Sequence, residues 1–148
     1  MVKTLIDTNV LVYAYDRSDP WKQRRALAVL DHLAQTGDGI LSMQVLVEFS
    51  AVALRKLTVT LTPEQVEGRV TRYAEIFTVL PVTLPVVQAG LRGVREHGLS
   101  FWDAQIWAAA WLHGIPLVLS EDFNAGATLE GVRFENPFAA DFELVRDA

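Results

Sequence analysis

The chain has 148 residues, 51% of them apolar, no cysteine and a formal net charge of −5. That length suits one domain spanning residues 1–148, able to bury roughly 70% of its unfolded surface, and the composition excludes disordered, disulfide-stapled and thiolate-metal proteins. The N-terminus carries a single Lys before Asp7 and fails as a signal peptide, and the most apolar window, Ile106–Leu112, falls short of the roughly 20 residues of a membrane span. A cytoplasmic protein with no membrane partner is therefore expected.

Thr4-Leu5-Ile6 reads as a short strand buried on both faces of a parallel sheet. Asp7 or Thr8 caps a helix starting near Val10, and Asp19-Pro20 opens a second helix reaching about Thr36, broken by Gly37-Asp38-Gly39. Ile40-Leu41-Ser42 is a second strand. Gln44–Leu57 is helical and apolar nearly all round, so it is expected to be buried. Thr62-Pro63-Glu64-Gln65 is a capping signal for a helix to about Phe77. A third strand is expected over Val79–Val82, a helix over Pro85–His97 closed by Gly98, and another over Phe101–His113 stopped by Gly114 and Pro116. Leu117–Leu119 and Val132–Phe134 complete the strands. Strands alternating with helices predict an α/β domain with a mainly parallel sheet.

Four acids interrupt this apolar framework. Asp7 ends the first strand, Glu48 lies inside Val45-Leu46-Val47-Glu48-Phe49, Asp103 opens the Phe101 helix, and Asp122 follows Leu117-Val118-Leu119-Ser120-Glu121. No Lys or Arg lies within three positions of Glu48, Asp103 or Asp122; only Lys3, four before Asp7, comes closer than five to any of the four. Each acid has an ordinary explanation. Asp7 is a plausible N-cap, Asp103 forms a capping-box pattern with Ser100, and Asp122 suits an Asx-turn. Glu48 resists one, because Gln44 is the sole polar company on its face. Asp7 and Asp122 both fall at carboxyl ends of strands, where open α/β sheets bind ligands.

Two carboxylates about 4 Å apart repel by roughly 4 kcal/mol at an effective dielectric of about 20, so a gathered set must share protons or bind a cation. With no Cys or nearby His, oxygen-only ligation selects Mg²⁺ or Mn²⁺ over zinc. Such ions clamp a scissile phosphate and activate water. The histidines fit helix-dipole or solvent roles, and the sequence holds no phosphate loop, nucleophile elbow or dinucleotide fingerprint. The charge is uneven. Residues 1–75 balance nine basic against nine acidic groups, and the rest of the chain supplies the whole excess. Basic clusters at Arg17, Lys22, Arg24 and Arg25, at Arg55 and Lys56, and at Arg69 and Arg72 otherwise read as solvated helix faces.

The ordered set Ile6-Asp7-Thr8-Asn9, Gln44-Val45-Leu46-Val47-Glu48-Phe49, Phe101-Trp102-Asp103-Ala104-Gln105-Ile106 and Leu119-Ser120-Glu121-Asp122-Phe123 resembles the PIN-domain nucleases, especially VapC toxins of toxin–antitoxin pairs. The tail Gly131–Phe138 looks like the end of that family. The resemblance implies a three-layer α/β/α fold and an Mg²⁺- or Mn²⁺-dependent endoribonuclease. It carries catalytic and metal-holding roles onto Asp7, Glu48, Asp103 and Asp122, and supporting polar roles onto Asn9 and Ser120. It also implies an RNA substrate, a small antitoxin partner and a homodimer. Arg17, Lys22, Arg24 and Arg25 would then have to gather beside the acids to hold RNA. Competing readings are a phosphohydrolase with Asp7 as nucleophile, a non-toxin RNA-processing nuclease, and a catalytically silent PIN scaffold.

Overall fold

The structure, a computed structural model, describes residues 2–57, 60–123 and 125–144. The elements run β1 (Thr4–Ile6), α1 (Thr8–Tyr13), α2 (Pro20–Thr36), β2 (Gly39–Ser42), α3 (Met43–Arg55) and α4 (Pro63–Ile76). They continue with β3 (Thr78–Leu80), α5 (Leu84–His97), α6 (Phe101–Leu112), β4 (Leu117–Leu119), β5 (Thr128–Leu129) and β6 (Val132–Glu135). The expected boundaries rest on local chemistry that the structure displays. Asp19 caps α2, whose first residue is Pro20, and Gly37 ends it at φ 75°. Thr62 and Gln65 form the reciprocal capping box of α4, and Gly98 closes α5 at φ 65°. Left-handed backbone of that kind costs glycine little and any L side chain more.

The strands form one sheet in the order β3-β2-β1-β4-β6-β5. Every pairing is parallel except β5 with β6. From β1 the chain steps outward to β2 and β3, then returns across the sheet to β4 on the other side of β1. Right-handed crossovers in opposite directions put α1–α4 on one face and α5–α6 on the other, giving three α/β/α layers. The packing follows suit: α1 lies against α2 and α3, α3 against α4, and α5 against α6. The reversal between β1 and β4 is a topological switch point, where open sheets leave a crevice at their carboxyl ends. Leu5, Ile6, Leu41, Phe49, Trp107, Leu117, Leu119 and Phe134 are fully buried around it.

Three expectations change. The third strand is Thr78–Leu80, and Val82 lies beyond it, exposed; its register is set by Ile40 and Ser42 of β2, which no local pattern encodes. The helix α3 is not buried all round: Met43, Val47 and Leu54 face outward. The strand β5 was not anticipated, because two residues carry no periodicity. It pairs with β6 through a two-residue turn in which Glu130 and Gly131 have φ 50° and 84°, the geometry of a tight hairpin.

The closeness of the α5–α6 interface depends on glycine. A Cβ on Gly93 would lie 2.9 Å from Cε3 of the buried Trp107 and 3.5 Å from Cβ of Ala104. Gly93→Ala should therefore destabilise by about 1–3 kcal/mol despite alanine's better helix propensity. Urea unfolding measures this directly, and a gain in stability would contradict the packing described.

Candidate functional site

Asp7 is the residue after β1 and the N-cap of α1. Its backbone N–H donates to Leu119 O at 3.0 Å, so the β1–β4 ladder runs one step past the strand. Ser120 extends β4 in the same way, its N–H reaching Glu135 O at 3.0 Å. This brings the two side chains together: Ser120 Oγ donates to Asp7 Oδ2 at 2.6 Å. Thr8 N–H supplies Asp7 Oδ1 at 2.7 Å, which is the capping bond. Asn9, on the first turn of α1, donates from Nδ2 to Ser120 Oγ and to Asp122 Oδ2, each at 3.1 Å. Its Oδ1 accepts the Glu121 N–H at 3.3 Å, and Asp122 N–H reaches Ser120 Oγ at 3.1 Å. Asp7, Ser120, Asn9 and Asp122 thus form one connected array across the switch point.

Glu48 and Asp103 approach from opposite faces of the sheet. Gln44 donates to Glu48 Oε1 at 2.7 Å and to the Trp102 carbonyl at 3.2 Å. It therefore links α3 to the first turn of α6, next to Asp103. The sequence shows Gln44 as the one polar neighbour of Glu48; only the fold shows what it bridges. Asp103 N–H bonds Ser100 Oγ at 3.4 Å, so the expected cap is present from the serine side.

Electrostatics tie the four acids into one site. Asp7 is 6% exposed, and burial pushes its carboxyl up to about 6 from an ordinary 3.8. Bonds from Ser120 and Thr8 oppose the rise, while the charges of Glu48 and Asp103 add to it. Asp103 is also raised, chiefly by desolvation, with the charge of Asp122 pushing the same way against the Ser100 bond. Among the described residues no Lys, Arg or His pairs with any of the four. As all-oxygen donors, the four are of the kind that suits Mg²⁺ or Mn²⁺. They fit that role in chemistry, although no three of them have oxygens all within 4.8 Å of one another. The described group that is so tight is Glu96, His97 and Glu130, which lies elsewhere and is bridged by Arg92 at 3.0 Å and 2.7 Å.

The anticipated basic cluster is partly committed elsewhere. Lys22 pairs with Glu121, and Arg25 lies over the rings of Trp21 and Phe142. Arg17 and Arg24 are exposed. No local pattern signals the Lys22–Glu121 contact, which joins residues 99 apart. His97, read as a helix-dipole residue, also gains a partner in Glu130 at 2.6 Å.

A folded carboxyl near 6 and an unfolded one near 3.8 mean that the folded state holds the Asp7 proton more tightly. Its contribution is fully present below the unfolded value and is lost as pH rises through about 6. Relative to wild type in chelating buffer, Asp7→Asn should thus gain stability between pH 4 and pH 7, by up to about 3 kcal/mol. Denaturant midpoints across that range test this; a flat difference would place Asp7 in a solvated setting.

The profile of the PIN domain family matches residues 4–127. No curated protein matches the sequence significantly. Among solved structures, the chain is similar to one in a toxin–antitoxin complex from Klebsiella pneumoniae, with TM-score 0.67 and 21% identity over 91% of this chain and 98% of that one. It is similar to DNA-bound VapBC from Salmonella typhimurium, with TM-score 0.64 and 18% identity over 93% and 99%. It also resembles VapC20 of Mycobacterium tuberculosis, described as a Sarcin-Ricin loop cleaving toxin, with TM-score 0.63 and 20% identity over 88% and 98%. At these identities the likeness is one of fold. With the family profile covering most of its length and the switch-point architecture in place, the chain belongs to the PIN domain family.

Proposed function

We propose that this PIN domain is an Mg²⁺- or Mn²⁺-dependent endoribonuclease, the toxin of a toxin–antitoxin pair, with Asp7, Glu48, Asp103 and Asp122 as its metal-holding and catalytic carboxylates. The observation that carries the proposal is the electrostatic coupling of acids from β1, α3, α6 and the β4 exit with no basic partner among the described residues. The bound ion would supply charge neutralisation at the scissile phosphate and a lowered pKa for an attacking water. The protein's part is positional. Ser120 and Thr8 hold Asp7 in one rotamer, Asn9 holds Asp122, and Gln44 holds Glu48. Such outer partners fix ligand orientation and commonly change metal affinity by about 10–100-fold when removed.

The RNA substrate is supported by the fold shared with VapC20, described as cleaving the Sarcin-Ricin loop. The antitoxin partner is supported by the similar chains found in toxin–antitoxin complexes. A protein-binding surface fits the exposed apolar groove of Met43, Val47, Val82, Val87, Phe101 and Trp102, whose rim includes Glu48. A homodimer or the antitoxin would cover it. No helix among the described residues is long and apolar enough to cross a membrane, in keeping with a cytoplasmic role. The phospho-aspartate alternative finds little support. Asp7 is buried, both its oxygens are engaged, and Asn9 stands where a second Asp would be wanted.

Purified protein should cleave a structured RNA with Mg²⁺ or Mn²⁺ and stop with EDTA. Asp103→Asn should lose at least about 100-fold in kcat while keeping its fold, since it removes a ligand and not a core contact. Cleavage that persists in that variant would end the proposal. Saturating Mn²⁺ should also stabilise the wild type, by about 2.7 kcal/mol at 100 times Kd. Thermal melts with and without metal read this out, and the shift should shrink in Asp103→Asn.

A further inference from the structure

The Ser120-Glu121-Asp122 segment leaves the sheet after Ser120, and Asp122 is exposed. What holds it comes from one face of α1. Asn9 and Tyr13 lie four residues apart, the spacing that stacks side chains on one helical face. Asn9 takes the Glu121 N–H and the Asp122 carboxylate. Tyr13 donates its hydroxyl to Glu121 Oε1 at 2.7 Å. From α2, Lys22 Nζ donates to Glu121 Oε2 and, at 3.2 Å, to Tyr13 Oη. The ammonium also sits 4.6 Å from the Tyr13 ring centroid and 5.7 Å from that of Phe138. Tyr13 and Phe138 meet edge to face at 4.8 Å, and Phe138 is itself buried with its N–H on Asn136 Oδ1 at 2.8 Å. Lys22 and Glu121 are each about three-quarters shielded from solvent.

The chain thus turns two adjacent acids in different directions. Glu121 is neutralised in a pocket of Lys22, Tyr13 and Phe138, while Asp122 stays on the array with Asn9. We infer that Lys22 and Tyr13 are positioning residues of the acidic site: by pinning Glu121 they set the Asp122 carboxylate where it can take part in holding a divalent ion. The inference rests on the proposed role of Asp122; it adds Tyr13 and gives Lys22 a role other than the RNA contact expected of its basic cluster. It also gives the Asn136-Pro137-Phe138 tail a purpose, as the backing against which Tyr13 is seated.

The sign of one substitution separates positioning from simple electrostatics. Removing a positive charge near an acidic site should tighten cation binding by charge alone. Releasing Glu121 and the loop should weaken it. Titration of the metal-free full chain with Mn²⁺ alone, followed by calorimetry well below the melting temperature, reads the difference. We expect Lys22→Met to bind Mn²⁺ about tenfold more weakly and Tyr13→Phe to show a smaller loss in the same direction. Combining Lys22→Met with Glu121→Gln should cost less than the two losses multiplied, as befits one unit. Tighter or unchanged Mn²⁺ binding in folded Lys22→Met would overturn the inference. So would unchanged Mn²⁺ binding with a raised KM for RNA and a shallower salt dependence, which would make Lys22 a phosphate contact. Asp122→Asn serves as the reference. If it binds Mn²⁺ like wild type, the metal role of Asp122 fails first; if it loses binding while Lys22→Met does not, only the positioning role fails.

Discussion

The structure is organised around negative charge that it does not itself neutralise. Asp7 is buried at the carboxyl end of the central strand, where ionisation is costly enough to lift its pKa to about 6. Glu48 and Asp103 are close enough to raise it further, and Asp122 acts on Asp103 in turn. A domain selected for stability alone would place apolar or paired residues there, because a buried ion without a partner costs several kcal/mol. The rest of the fold tolerates this arrangement through a connected set of donors, Thr8, Ser120, Asn9 and Gln44, each oriented by an element that ends at the site.

Topology explains why the charges meet. The parallel strands β1 and β4 are neighbours in space but 110 residues apart in sequence, and the chain leaves them toward opposite sides of the sheet. The crevice between those departures receives the first turn of α1, the loop after β4, and the early turns of α3 and α6 from the two flanking layers. One acid arrives on each of these segments. The same reversal lets α1 grip the β4 exit at Asn9 and Tyr13, so the helix that begins at Asp7 also steadies the loop that carries Asp122.

The contrast between the two carboxylate groups of the molecule is instructive. Glu96 and Glu130 are also crowded, but Arg92 bonds both, with Arg95 assisting at Glu96 and His97 at Glu130, and this holds both carboxyls below their ordinary range. That group ties the end of α5 to the β5–β6 turn and needs nothing from solution. At the switch point Asp7 and Asp103 are shifted in the other direction, upward, chiefly by burial and with no basic partner among the described residues to oppose it. The direction of the shift, downward at Glu96 and Glu130 and upward at Asp7 and Asp103, distinguishes the two groups more than crowding does.

Much of this was legible in the chain itself. Caps at Asp19, Thr62 and Ser100 and stops at Gly37 and Gly98 are local chemistry, so helix limits followed from residues a few positions apart. The four acids stood out because each broke an apolar run, and Glu48 most of all because its helical face offered only Gln44. Tertiary structure alone decided which contacts cross the sheet. Ser120 bonds Asp7 across 113 positions, and Lys22 withdraws from the expected basic cluster to meet Glu121. The outward apolar face of α3 and the short strand β5 are likewise set by which neighbours arrive and which do not. Periodicity and capping report energies summed over a single turn; register, long-range pairing and the balance of charge in a crevice arise only when distant segments share one volume.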